Sequence, residues 1–181
     1  MQIHKANLKF NGTLTKRKLT SEIIIHCSAN SAGSKMTVVD VHNMHIKKNG
    51  WIGIGYNYYI DTKGQIWEGR PEDCVGAHVP NHNSKSIGIC YCGGIGKNGK
   101  YEDTRNEAQL KAMTELCQYL HKKYPKATFH GHKEFDNKAC PCFDVQKWIK
   151  TIDLDGNGTV QVQKQECLCS QCKNTECKNR K

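Results

Sequence analysis

Ile23-Ile24-Ile25-His26-Cys27-Ser28-Ala29 is the stretch from which the rest of the chain can be organised. Three consecutive β-branched apolar residues leave no polar face, so they read as a strand buried on both sides. His26 stands at the end of that strand. Upstream, Asn11-Gly12 flanked by Leu8, Phe10 and Leu14 is a strong short hairpin signal, so residues 1–20 are expected to form a basic N-terminal β-hairpin. Downstream, Thr37 to Asp40 has the spacing of a capping box, with Asp in place of Glu or Gln. It opens a helix to about Lys48, with Val38, Val41 and His45 on one face and Gly50 after its end.

Tyr56 to Ile60 reads as a strand, Asp61 to Gly64 as a turn, and Gln65 to Glu68 as a returning strand. Ser86 to Cys92 is a further strand, closed by Gly93-Gly94. A second helix is expected from Thr104, with Ala108, Met113, Leu116, Cys117 and Leu120 at helical spacing. Pro125 stops it, and Ala127 to His132 is the last strand. The order β, α, β, β, β, α, β implies an α/β fold: one domain with a mixed central β-sheet flanked by helices. Its expected extent is 21–149, preceded by the hairpin of 1–20 and followed by a polar, Cys-rich C-terminal tail, 150–181.

At 181 residues the chain suits one domain with a small appendage. No apolar run approaches the roughly 20 residues of a spanning helix, so membrane insertion is not expected. The net charge is +10, and it is unevenly spread. Residues 1–20 carry five basic and no acidic side chains; residues 145–181 carry seven against four; the middle is nearly balanced. Basic ends favour polyanions such as anionic cell wall, nucleic acid or lipid headgroups. Nucleic acid is the weaker expectation, because the chain lacks the aromatic-basic interleaving of single-strand binders. The N-terminus has no seven-residue apolar core of a secretory signal, which suggests synthesis in a cytosol. Eleven cysteines there read as metal ligands before disulfides.

Two histidines end short apolar strands: His26, and His132 in Thr128-Phe129-His130-Gly131-His132. Eight residues beyond His132 lies Cys140, in Lys138-Ala139-Cys140-Pro141-Cys142. Two imidazoles and a thiolate suit Zn²⁺, and three protein ligands leave a fourth position open, which is the catalytic rather than the structural pattern. The competing reading is two half-buried histidines and a core thiol.

The motifs around these residues shift that balance. Ile24 to Ala29, Gly50-Trp51, Gly55 to Ile60, Glu68-Gly69-Arg70, Val75 to His78, Asn83 to Ile89, Gly93-Gly94, Gly131 to Glu134 and Lys138 to Pro141 together resemble the type 2 N-acetylmuramoyl-L-alanine amidases. That zinc amidase family includes phage amidase lysozymes and peptidoglycan recognition proteins. The phage lysozyme (endolysin) branch looks closest. The resemblance covers about 21–148 in one order. It implies hydrolysis of the amide between N-acetylmuramic acid and L-alanine of peptidoglycan, with action on the bacterial cell wall. It implies His26, His132 and Cys140 as zinc ligands, and Tyr56 and Lys138 as catalytic residues. Lys138 would stabilise the oxyanion, and Tyr56 would hold or deprotonate the water. His78 could contact substrate or orient the water, and Asn83 could hydrogen-bond a peptide stem or be satisfied within its own loop. All five central residues are present, which favours an enzyme over a recognition module without turnover. One departure stands out: Cys142 occupies a place where the family commonly has Ser or Gly. It could compete with Cys140 for metal or pair with it oxidatively. His42, His45, His82, His121 and His130 read as structural or solvent-facing, and Cys27, Cys74, Cys90 and Cys117 as small buried hydrophobes.

The tail holds two weaker patterns. Asp153 to Gly158 fits the start of a calcium loop, but Lys164 stands where a bidentate acid is needed. Cys167, Cys169, Cys172 and Cys177 could hold a second, structural zinc or form disulfides.

Overall fold

A computed structural model describes residues 1–156. The strands are β1 (Ile3–Lys5), β2 (Glu22–Cys27), β3 (Asn30–Ser31), β4 (Tyr58–Ile60), β5 (Ile66–Glu68), β6 (Ser86–Tyr91), β7 (Gly94–Ile95) and β8 (Thr128–Gly131). The helices are α1 (Val38–Asn49), α2 (Glu107–Lys123) and the short α3 (Val145–Ile149). Six strands form one mixed sheet in the order β1-β5-β4-β6-β2-β8, and β3 pairs with β7 in a separate ribbon. Only β4 and β5 run antiparallel within the large sheet; its other neighbours are parallel. The expected mixed sheet with flanking helices is what the structure has.

β2 lies between β6 and β8, and Ile23, Ile24 and Ile25 are fully buried. The strand period of two divides its side chains between two layers. Ile23, Ile25 and Cys27 join Tyr58, Ile60, Ile87, Ile89 and the α2 residues Met113, Leu116 and Leu120 in one cluster. On the other face, Tyr59 and Cys90 pack with Val38 and Val41 of α1 and with Ile54. Helix α1 starts at the expected Thr37 cap, where Asp40 completes the box, and ends at Gly50 in the left-handed conformation. Helix α2 starts later than the sequence suggests. Thr104 accepts a hydrogen bond from the Gly94 N–H at 2.7 Å. The cap is instead Asn106, in a reciprocal box with Gln109.

The N-terminal hairpin does not form. β1 pairs in parallel with β5, extending the large sheet by one strand. Asn11 donates its backbone N–H to the Ile52 carbonyl, and Phe10 packs edge-on against His42. Farther along, the Arg17 guanidinium donates to the Glu72 and Cys74 carbonyls. The apolar residues of this segment find more surface on the domain than on each other, so it runs as a strap. The four tail cysteines and most of the calcium-loop pattern lie outside the described residues.

One buried carboxylate ties α2 to the sheet. Glu72, its side chain 11% exposed, accepts hydrogen bonds from Tyr58 of β4, from Tyr119 and Tyr124, and from the Lys123 ammonium at 2.8 Å. Burial alone would raise its pKa, but the bonds from Lys123, Tyr124 and Tyr58 outweigh that and lower it. A carboxylate with a depressed folded pKa contributes stability that is present above its unfolded pKa and lost as pH falls through the folded one. Glu72→Gln is therefore expected to destabilise the protein at neutral pH by about 1–3 kcal/mol. The gap to wild type should close in acid below the ordinary glutamate range, as read by denaturant unfolding across pH.

Candidate metal and active site

Parallel pairing creates the site. Ile25 of β2 is in register with Gly131 of β8, so the next residues along, His26 and His132, emerge side by side. Both are buried, at 1% and 7% exposure. His26 Nδ1 lies 3.2 Å from His132 Nδ1. Cys140 reaches the same point from the loop after β8, its Sγ 3.8 Å from His26 Nδ1. That loop is held from three sides. The Lys133 N–H donates to the Cys140 carbonyl at 2.7 Å, Tyr91 donates to the Pro141 carbonyl at 2.8 Å, and the Cys27 N–H donates to Cys140 Sγ at 3.2 Å. The donor atoms of His26, His132 and Cys140 all lie within 4.8 Å of one another, so the three could hold a metal ion.

The histidines are neutral at neutral pH. Burial, reinforced by His78, His132 and Lys138, takes His26 well below the usual imidazole range. Burial and then Lys138 lower His132, with Asp136 opposing. A neutral imidazole keeps a lone pair to give a cation.

The hydrogen bonds behind His26 say which nitrogen carries that lone pair. Ser86 Oγ donates to the His82 carbonyl at 2.8 Å, so its proton is committed. Ser86 Oγ then accepts from His78 Nε2, 3.4 Å away. His78 Nδ1 is left as the acceptor for His26 Nε2 at 3.0 Å. His26 Nδ1, facing His132 and Cys140, is the unprotonated one. This assignment follows from the hydrogen-bond network. The same pattern, with the far nitrogen donating to a second group, orients metal-bound histidines generally.

His78 is the residue expected to contact substrate or orient the water. It is 8% exposed and sits behind His26. A Cβ at Gly76 or at Gly88 would come within 2.4 or 2.6 Å of its ring, so two side-chain-free positions make its slot. Asn83 belongs to the same brace. Its Oδ1 accepts the His78 and Val79 N–H groups at 2.8 and 3.0 Å, so that oxygen is used within the loop rather than facing a ligand.

Tyr56 is half-buried, its ring centroid 5.1 Å from that of His26 and 5.5 Å from that of His45. Burial first, then the neighbouring cysteines, raises its pKa well above the usual phenol range. Its hydroxyl is therefore held protonated at neutral pH and has a proton available to donate. Lys138 is exposed at the rim and paired with Asp136 at 2.8 Å. The same Asp136 oxygen lies 3.7 Å from His132 Nε2. That nitrogen is buried and makes no hydrogen bond among the described residues.

Sequence reasoning passed over several neighbours. His45 accepts the Gly55 N–H, and burial takes its pKa down to about 4. Asn57, fully buried, donates to the Pro71 and Cys74 carbonyls and accepts the Gly88 N–H. It locks the segment carrying Tyr56, which precedes β4 rather than opening it as expected, to the loops carrying His78. Its polar side chain between two tyrosines was the available signal. Cys27 also does more than fill core. Its Sγ is 3.5 Å from that of Cys142, and Cys142 faces Cys27 rather than the histidines. The competition for metal expected of Cys142 finds no support in this geometry.

The family described as N-acetylmuramoyl-L-alanine amidase matches residues 16–143, a span holding every one of these side chains. An endolysin of Enterobacteria phage K11 is 39% identical over 140 residues, 77% of this chain and 92% of that protein. The endolysin of Escherichia phage T7 is 36% identical over 139 residues, covering 77% and 91%. Among solved structures, the N-acetylmuramoyl-L-alanine amidase LysC from Clostridium intestinale superposes with a TM-score of 0.72 at 30% identity, over 83% of this chain and 95% of that one. Drosophila PGRP-LB, at 22% identity and a TM-score of 0.70 over 87% and 99%, shares the fold. With the family match spanning most of its length, and with a relative 39% identical over 77% of it, the chain belongs to the N-acetylmuramoyl-L-alanine amidase family.

Proposed function

We propose that the protein is a zinc-dependent amidase that cuts the bond between N-acetylmuramic acid and L-alanine in peptidoglycan, as a phage-type lysis enzyme acting on the bacterial wall. The convergence of His26 Nδ1, His132 Nδ1 and Cys140 Sγ carries this reading. Tetrahedral zinc with ordinary bond lengths sets its nitrogens about 3.3 Å apart and nitrogen from sulfur about 3.6 Å. The contacts of 3.2 and 3.8 Å are close to those values, and all three donors lie within 4.8 Å of one another. Bound zinc supplies an acidified water as nucleophile and a Lewis acid for the carbonyl.

The chain's own groups account for the rest. His78 and Ser86 keep the His26 lone pair turned inward. Tyr56, protonated, donates a hydrogen bond to the reacting oxygen or to the departing amine. Lys138, a mobile cation on the rim, swings from Asp136 to the negative charge that develops on the carbonyl oxygen. Trp51, exposed on one side, packs on His45, which in turn contacts Tyr56. Among the described residues no helix is long and apolar enough to cross a membrane. The net charge of +10 favours an anionic wall polymer.

A peptidoglycan-recognition module without turnover is the second reading, since solved relatives include a peptidoglycan recognition complex bound to tracheal cytotoxin. The complete His-His-Cys donor set favours the enzyme.

Release of new L-alanine amino termini from purified peptidoglycan separates the two. Chelation should abolish release, zinc should restore it, and Cys140→Ala should lose it, while Cys142→Ala keeps it. Wall binding without release in the zinc-loaded protein would establish the recognition module instead. Lys138→Ala should lower kcat roughly 10²–10³-fold with KM little changed, and Tyr56→Phe about 10²-fold. An equal rise in KM would make either residue a binding contact only. Raising salt should weaken wall binding, and salt-insensitive binding would remove the role given to net charge.

A further inference from the structure

Cys142 is the residue that the amidase reading leaves without a task. It sits in the left-handed region at φ 73°, a conformation that a non-glycine side chain rarely adopts. A glycine there would be relaxed. The cysteine instead places its Sγ 3.5 Å from Cys27 Sγ, at van der Waals contact. Gly94 makes this meeting possible: a Cβ there would lie 2.6 Å from Cys27 Sγ and 3.4 Å from Cys142 Sγ. Cys142 is half-buried, so a small oxidant can reach it, whereas Cys27 is enclosed at 5% exposure. The Cys140 thiol also lies beside that of Cys27, but its sulfur accepts the Cys27 N–H and turns toward His26 Nδ1, where a metal ion would hold it.

We propose that Cys27 and Cys142 are a disulfide-forming pair that staples the two ligand-bearing segments together in oxidising surroundings and leaves Cys140 free. Cys27 directly follows His26, and Cys142 lies two residues past Cys140. A bond between them fixes the end of β2 to the Cys140 loop, across 115 residues of chain. The co-reactant is a small-molecule disulfide such as glutathione disulfide. Cys142, the accessible thiol, gives up its proton as its sulfur attacks one sulfur of that disulfide and expels the first glutathione thiolate. Cys27 then attacks the Cys142 sulfur of the mixed disulfide and expels the second. Two protein thiols are oxidised, one disulfide is reduced, and the two protons end on the two glutathione thiols. The linkage itself does not depend on the amidase reading; only the expectation that metal is retained rests on it.

The test treats the zinc-loaded full chain with glutathione disulfide, blocks remaining thiols by alkylation, and maps linked peptides by mass. The expected product joins Cys27 to Cys142, with Cys140 unlinked and zinc still bound. Closing so long a loop should raise the melting temperature by roughly 5–15 °C over the reduced protein. Cys142→Ser and Cys142→Gly should give neither the linkage nor its share of the shift, which separates this pair from the tail cysteines. A linkage through Cys140, loss of zinc on oxidation, or Cys27 and Cys142 both remaining open to alkylation would overturn the proposal. So would a Cys27–Cys142 bond that leaves the melting temperature unchanged. None of these readouts requires hydrolytic activity, so failure of the pair and failure of the amidase reading are told apart.

Discussion

The parallel pairing of β2 with β8 is the constraint on which the site depends. Parallel neighbours present the same ends to the same side, and the register of Ile25 with Gly131 sets His26 beside His132. A shift of one residue would send one imidazole to the opposite face of the sheet. Both faces of β2 are packed, so a slipped pairing would have to refit Ile23, Ile24 and Ile25 into layers shaped around other side chains. Each such side chain is worth about 1.5–3 kcal/mol when fully buried. The hydrophobic core thus positions the donor atoms, and the loop carrying Cys140 has only to close over them.

Burial also sets the electrostatics. His26 and His78 are taken far below the ordinary imidazole range chiefly because the surrounding protein disfavours their charged forms. Two neutral imidazoles in contact can then share a hydrogen bond in place of repelling each other. The chain from the His82 carbonyl through Ser86 and His78 gives that bond a direction. The facing imidazole, His132, has only a distant carboxylate at its far nitrogen. The pocket's two histidines are therefore unequal: one is held rigidly from behind, and the other lies on the side where Asp136 and Lys138 meet solvent.

Much of this was legible in the chain. The Ile23-Ile24-Ile25 run announced a central strand, Thr37 and Gly50 marked the limits of α1, and the motifs from His26 to Cys140 pointed to the family. The failures have physical reasons. Asn11-Gly12 has local hairpin chemistry, but Leu8 and Phe10 bury more surface against α1 and its neighbours. Thr104 has a cap's chemistry, but its hydroxyl serves Gly94.

The sequence by itself determined the residue types that can bind a cation, the elements that carry them and the family they belong to. These are properties of local pattern, and pattern is written along the chain. Only the tertiary structure decided which nitrogen of His26 faces inward, that His78 stands behind it, and that Cys142 meets Cys27 rather than the histidines. Those outcomes depend on contacts between residues 52 to 115 positions apart. Their geometry comes from strand register and from the space left at glycines, neither of which any local stretch of sequence encodes.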